Sequence, residues 1–283
     1  MPNNHNNKPS PPLAGVAVFY NPTEREIDNI LTYVDFLQTL YIVDNSATSN
    51  STLLNALTAN SSKIQYIPNF DNLGIATALN IGCELAIKQG YEWILTMDQD
   101  SRFDVTNMRE FISSFERKKL ADPSIAIFTP ILDERQHKGY VSRAITSGNL
   151  LNLFAYKQVG GFDDALFIDE VDHDMCYKLV RSKYRIYTFD HVHMQHKIGN
   201  SKVHSFLFRP FLVMHHSATR KYYIIRNRFL IRDRYPDLTN DYTKFNAELL
   251  LGVILFEDNK WLKLRHIIKG YYDYRKSNTG RMK

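Results

Sequence analysis

Asp98 and Asp100 stand one residue apart in YEWILTMDQDS (91–101), directly after an apolar stretch. Two carboxylates so spaced at a strand end can share a hard divalent cation, Mg²⁺ or Mn²⁺, with a diphosphate. The same triplet also serves as an ordinary turn or helix cap, so its place after a strand is what singles it out. A second group of acids, Asp163, Asp164, Asp169, Glu170, Asp172 and Asp174, fills GGFDDALFIDEVDHDMC (160–176). Acids favour the positive end of a helix dipole, which accounts for part of this cluster. The Gly-Gly-Phe turn and apolar Leu166, Phe167 and Ile168 that lead into it are not needed for that role. One of the carboxylates is a candidate general base toward a hydroxyl.

His191, His193 and His196 follow in HVHMQHKIGNS (191–201). One of them is a candidate metal ligand; a hydrogen-bonded structural histidine, or a strand with His191 and His193 on one face, satisfies the same pattern. In RKYYIIRNR (220–228), Tyr223, Arg226 and Asn227 share a helix face. That face suits a diphosphate; Arg interleaved with aromatics also suits single-stranded nucleic acid, and a solvated helix needs neither.

These residues must be carried by something, and the apolar runs say what. GVAVFY (15–20), LYIVDNS (40–46), KIQYIPN (63–69), residues 91–101 and IAIFTPIL (125–132) read as buried strands. Residues 23–39, 51–60 and 74–89 carry helical spacing, with Thr23 and Glu26 set as a capping box. Strands alternating with helices predict an α/β fold with a mostly parallel sheet flanked by helices. Polar residues then gather at the carboxyl ends of strands, where open α/β sheets bind ligands.

The chain is 283 residues and 44% hydrophobic, enough for one large α/β domain with an extension. Cys83 and Cys176 are the only two cysteines, far apart and without CxxC spacing, which argues against a disulfide framework or a cysteine zinc site. Residues 1–196 hold 17 Lys and Arg against 23 Asp and Glu, whereas residues 197–283 hold 18 against 7. An acidic body suits a metal, and a basic C-terminal third suits phosphates or an anionic membrane. The polar, Pro-rich start has no apolar signal-peptide core, and no apolar run approaches a membrane span.

From 14 to 235 the chain resembles the inverting family 2 glycosyltransferases, which have the GT-A (Rossmann-like) fold. The resemblance rests on VFYNP (18–22), IVDNS (42–46), NLGIATALNIG (72–82), MDQDS (97–101), TSGNLL (146–151), residues 160–176, HKIGNS (196–201) and RKYYIIRN (220–227), in that order and separation. MDQDS and FIDEVDHD are most similar to the rhamnosyltransferase branch, whose donor is dTDP-L-rhamnose. The resemblance implies that Tyr20, Asn21 and Asp44 hold the nucleobase and ribose, and that Asn72, Gly74 and Asn80 form a second nucleotide-contacting segment. It implies that Asp100 and His196 bind the metal, that Asp98 holds the ribose or a metal-bound water, and that Arg220 and Tyr223 touch the diphosphate. It assigns the base to Asp172. Many relatives carry Glu-Asp there, and the Val171-Asp172 pair of this chain brings in Asp174 as an alternative base.

The implied activity is metal-dependent transfer of a sugar, with inversion, to a lipid-linked saccharide acceptor in cell-surface polysaccharide synthesis of the O-antigen or capsule type. A UDP-sugar donor on the same fold is the alternative. The expected organisation is a tail (1–13), a transferase domain (14–235) and a helical basic extension (236–283). In that extension, residues 243–257 and 260–275 read as helices. The second is basic and amphipathic, which suits either an anionic membrane surface or packing on the domain. The expected location is the cytoplasm, peripheral to the inner face of the membrane. A sugar-phosphate nucleotidyltransferase is disfavoured because the chain lacks a Gly-rich, basic N-terminal loop for a triphosphate. A nucleic-acid-binding module is disfavoured because the acidic body repels phosphates, so no nucleic acid partner is expected.

Overall fold

The computed structural model of the protein describes residues 12–59, 62–133, 136–196, 202–206 and 209–283. Of the tail expected over 1–13, residues 1–11 lie outside the described residues, and Leu13 is buried. Residues 197–201 of the HKIGNS motif also lie outside them.

The apolar runs form β1 (Ala14–Phe19), β2 (Thr39–Asp44), β3 (Ile64–Pro68) and β4 (Trp93–Asp98), paired in parallel in the order β3-β2-β1-β4. All six residues of β2 are buried, as expected for a strand covered on both faces. Beyond β4 come β8 (Asn149–Asn152), β6 (Ile125–Ile131), β9 (Arg185–His193) and β7 (Gly139–Val141), which complete an eight-stranded sheet. Strand β8 runs antiparallel to both β4 and β6, and β7 antiparallel to β9. The sheet is thus mostly parallel with two reversed strands, and helices flank it.

Successive strand residues face opposite sides, so the sheet has two cores. Val16, Tyr41 and Val43 pack on one side with α3 (Ile75–Lys88) and α6 (Val171–Arg181). Ala17, Leu40 and Ile42 pack on the other with α1 (Glu24–Leu31) and α4 (Val105–Ala121). Helix α1 is shorter than its expected 23–39. The Glu26 carboxylate caps its start, accepting from Thr23 N at 2.8 Å. After Thr32 the chain tightens into a 3₁₀ turn, Val34–Phe36. The Val34–Leu37 spacing of three fits that turn as well as an α-helix, and Gln38 N already donates to Leu13 O beside β1.

Three helices follow the sheet: α7 (Ala218–Arg234), α8 (Tyr242–Phe256) and α9 (Lys260–Arg275). Helix α9 packs so closely on α7 that a Cβ at Gly270 would lie 2.5 Å from Tyr222 O. Ile267 of α9 is buried with Ile225 of α7 and Val253 of α8. Glu257 binds Lys221 at 2.6 Å and Lys263 at 2.7 Å, a buried ion triad joining α7, α9 and the turn between α8 and α9. The region expected as an extension, 236–283, is therefore packed against α7 at the end of the expected main domain. Among the described residues, no helix is long and apolar enough to cross a membrane.

Candidate active site

A cavity of about 760 Å³ opens at the carboxyl ends of β1 and β4. Tyr20, Asn72, Gly74, Asp98, Asp100, Asp172, His196 and Arg220 line it. Asn21, Asp44, Asn80 and Tyr223 do not. The Asp44 carboxylate is buried beneath the rim and accepts from Ser46 N (2.9 Å), Asn50 Nδ2 (2.7 Å) and Tyr66 OH (2.8 Å). Asn21 N donates to Ser46 Oγ. Asn80 braces the Gly-Gly-Phe turn: its Oδ1 accepts from Phe162 N and Tyr156 OH, and its Nδ2 donates to Phe162 O and Asp164 Oδ1. Tyr223 is buried, stacked on Phe167 with ring centroids 5.1 Å apart, and its hydroxyl accepts from Met282 N.

Asp98 ends β4, Asp100 follows on the turn, and His196 comes from a separate two-stranded ladder. There β10 (Gln195–His196) pairs antiparallel with β5 (Ser101–Arg102), putting His196 opposite Ser101. Ser101 Oγ lies 2.7 Å from His196 Nδ1; Ser147 Oγ donates to Ser101 Oγ (2.7 Å) and accepts from Asp98 N (3.0 Å). This chain of hydroxyls joins the His196 ring to the Asp98 backbone, and the ligand atoms of Asp98, Asp100 and His196 lie within 4.8 Å of one another. Asp100 Oδ1 is shut off from solvent without a hydrogen-bond donor, 3.4 Å from His196 Nδ1. A buried carboxylate oxygen left open beside a second carboxylate and an imidazole fits a divalent cation of the Mg²⁺ or Mn²⁺ class. Burial pushes Asp98 up to about 6, with Asp100 and Asp172 adding to the rise and His196 and Arg220 opposing it. Burial opposes protonation of His196, but Asp100 and Asp98 outweigh it and raise its pKa.

Opposite this group, FIDEVDHD makes a loop into α6. Phe167, Asp169 and Glu170 all have positive φ, 65°, 63° and 64°, a conformation costly for side chains of this size. Buried Asn227 and Arg226 of α7 hold the loop in it. Asn227 Nδ2 donates to the carbonyls of Leu166, Ile168 and Asp169, and Arg226 Nη2 to those of Ala165 and Leu166. Gly74 packs against the same loop: its φ is +87°, and a Cβ there would lie 2.6 Å from Phe167 O.

Asp172 enters the cavity from the first turn of α6. Its Oδ1 accepts from His173 N (2.8 Å), leaving Oδ2 without a partner among the described residues. Asp174 is fully buried away from the cavity, within 2.8 Å of Lys178 Nζ and 3.3 Å of Arg234 Nη1, and accepts from Tyr235 OH. Arg220 reaches the cavity beside Asp169, Nε to Oδ1 at 3.0 Å. Burial raises Asp169 to about 6, with Arg220 opposing.

The partnership of Glu170 with His173, Tyr242 and Arg228 carried no signal in the sequence, which offered Glu170 only as one acid of the 160–176 cluster. Glu170 Oε2 meets His173 Nδ1 at 2.8 Å and accepts from Tyr242 OH, while Arg228 Nε donates to Oε1 at 3.1 Å. Burial alone would raise Glu170, but His173, Arg228 and Tyr242 bring it down to about 2. Burial opposes charging of His173, and Asp172 and Glu170 overcome it, to about 9. An imidazolium therefore stands beside Asp172. His191 and His193, by contrast, lie on β9 outside the cavity; His191 pairs with Asp190 and Ser114.

Residues 25–175 match the sequence model of glycosyl transferase family 2. The chain is 30% identical to the dTDP-rhamnosyl transferase RfbF of Shigella flexneri, over 77% of this chain and 79% of that protein. The structure of residues 1–349 of S. aureus TarS in complex with UDP-GlcNAc superposes with a TM-score of 0.58 at 12% identity, covering 94% of this chain and 81% of that one. A longer S. aureus TarS structure gives the same TM-score at 13% identity, covering 94% of this chain and 49% of that one. With a GT-A sheet, an Asp-Asp-His cluster at the end of β4 and sequence agreement across most of its length, the chain belongs to glycosyl transferase family 2.

Proposed function

We propose that the chain transfers L-rhamnose from dTDP-L-rhamnose, with inversion, to a hydroxyl of a lipid-linked saccharide during assembly of an O-antigen or capsule-type polysaccharide. The expected setting is the cytoplasm, at the inner face of the cell membrane. The observation that carries this reading is one cavity holding the Asp98–Asp100–His196 cluster on one wall and Asp172, with a free oxygen, on another. The donor rests on the similarity to a dTDP-rhamnosyl transferase.

In this reading Tyr20 and the 72–74 segment receive the nucleotide at the mouth of the cavity. Asp98, Asp100 and His196 would hold a Mg²⁺ or Mn²⁺ ion, which when bound offsets charge developing on the leaving diphosphate. Arg220 adds a fixed cation toward the same oxygens, oriented by Asp169. Asp172 Oδ2 takes the proton of the acceptor hydroxyl as that oxygen attacks the anomeric carbon from the side opposite the diphosphate. Attack from one side, in one step, inverts the configuration.

Incubating the purified chain with dTDP-L-rhamnose or UDP-sugars, Mn²⁺ and a lipid-linked acceptor tests this reading. Rhamnosyl transfer with inverted anomeric configuration is expected. Transfer from a UDP-sugar alone would reassign the donor, and retained configuration would end the single-base mechanism.

A further inference from the structure

Helix α8 turns an apolar stripe to solvent. Leu250, Leu251, Ile254 and Leu255 are 36%, 41%, 48% and 40% exposed. Their spacing puts them on one face. A helix in contact with water carries polar residues there. The opposite side of α8 is a wall of the active-site cavity, through Phe245, Glu248, Leu249 and Gly252. Helix α9, next in the chain and packed beside α8, also exposes apolar side chains: Trp261, Leu262 and Ile268, exposed 86%, 50% and 68%. Single exposed apolar residues are ordinary; this grouping on two consecutive helices marks a contact surface.

The charges beside it indicate the partner. Lys260, Arg265, Arg275 and Lys276 are exposed on α9 or directly after it. The acid within α9, Asp273, is buried and engaged by Tyr222, Lys269 and Asn278. Two copies of this face would oppose their cations, whereas an anionic surface complements them. An apolar stripe with flanking Lys and Arg and an exposed Trp matches a bilayer interface, where the Trp ring sits among headgroups. We infer that the α8–α9 face lies on an anionic lipid bilayer, so that the cavity wall formed by α8 stands at the membrane surface. The inference rests on the transferase reading for the lipid-linked acceptor that this placement would serve.

Vesicle sedimentation tests it, using phosphatidylcholine alone and phosphatidylcholine mixed equally with phosphatidylglycerol. The full chain should sediment with the mixed vesicles and stay in solution with the neutral ones. The double variant Leu251→Glu/Ile254→Glu should partition at least about tenfold more weakly. Lys260→Glu/Arg265→Glu should lose the preference for phosphatidylglycerol. Neither pair belongs to the catalytic machinery, so both variants should keep their melting temperature and donor binding. A parent that ignores the mixed vesicles overturns the inference, as do variants that sediment like the parent. A lipid-free parent dimer that Leu251→Glu/Ile254→Glu converts to monomer also overturns it, because a second copy then covers the stripe. Vesicle binding needs no sugar donor, so failure of the transferase reading would appear separately, as intact sedimentation without donor binding.

Discussion

The side-chain amide of Asn227 lies 2.7 Å from the carbonyl oxygen of Ile168, 59 positions earlier in the chain. Through that contact and its neighbours, α7 dictates the backbone of the loop that presents Asp172. Two donor hydrogens serve three carbonyls, those of Leu166, Ile168 and Asp169. The loop's left-handed residues are thereby held from the helix side, not by their own preferences.

Asn227→Ala should therefore lower stability by at least about 1–3 kcal/mol, the cost of a stranded buried acceptor. Transfer should fall further than donor binding. Urea unfolding and single-turnover transfer measure the two effects, and an active, fully stable variant would dismiss the clamp.

Asp172→Asn preserves shape and removes the proton acceptor proposed above. Transfer should drop about 10²–10⁴-fold with donor affinity nearly unchanged. Asp174→Asn should act differently: it weakens a buried contact with Lys178, Arg234 and Tyr235, lowering the melting temperature while turnover per folded molecule persists. If Asp174→Asn stays folded and inactive while Asp172→Asn turns over, the base shifts by two positions.

Asp100→Ala should weaken Mn²⁺ binding by more than about tenfold, since even outer-shell changes cost that much. Isothermal titration with Mn²⁺ and nucleotide reads this without requiring turnover. Unchanged affinity would remove Asp100 from the metal site.

Glu170 and His173 make stability depend on pH from both sides. Glu170 is depressed from an ordinary 4.5 to about 2, so its contribution is complete above 4.5 and disappears as pH falls toward 2. His173 is raised from 6.5 to about 9, so its contribution is complete below 6.5 and disappears as pH rises through 9. The stability gap between the parent and His173→Gln should be widest between pH 4.5 and 6.5 and shrink toward pH 9. Thermal melts across that range would reveal a flat gap if the pair were not charged.

The sheet and the Asp98–Asp100 pair were legible because their signals are local. A parallel strand covered on both faces is a continuous apolar run, and Asp98 and Asp100 follow such a run directly. Tyr223 and Asn80 have side chains suited to nucleotide contact, yet here they serve Met282 N and the Phe162 backbone. Bonds from a helix to a backbone some sixty to eighty positions away leave no spacing to read. Gly74 looked like a ligand contact; it lines the cavity, but its missing Cβ also makes room for Phe167 O. The positive φ angles at Phe167 and Glu170 were invisible, since neither is a residue type that advertises that conformation; an aspartate such as Asp169 tolerates it without signalling it.

Residues 280–282 close over the same loop. Gly280 N donates to Ala165 O, Gly280 O accepts from Arg226 Nη1, and Met282 N donates to Tyr223 OH. Arg281 meanwhile pairs with Asp71, next to cavity-lining Asn72. During synthesis Asp98, Asp100, Asp169, Glu170 and Asp172 are all made more than a hundred positions before these partners. A nascent chain stalled before Gly280 thus already holds those carboxylates and lacks the contacts that fasten their carrier loop, so the groups exist before the frame that aims them.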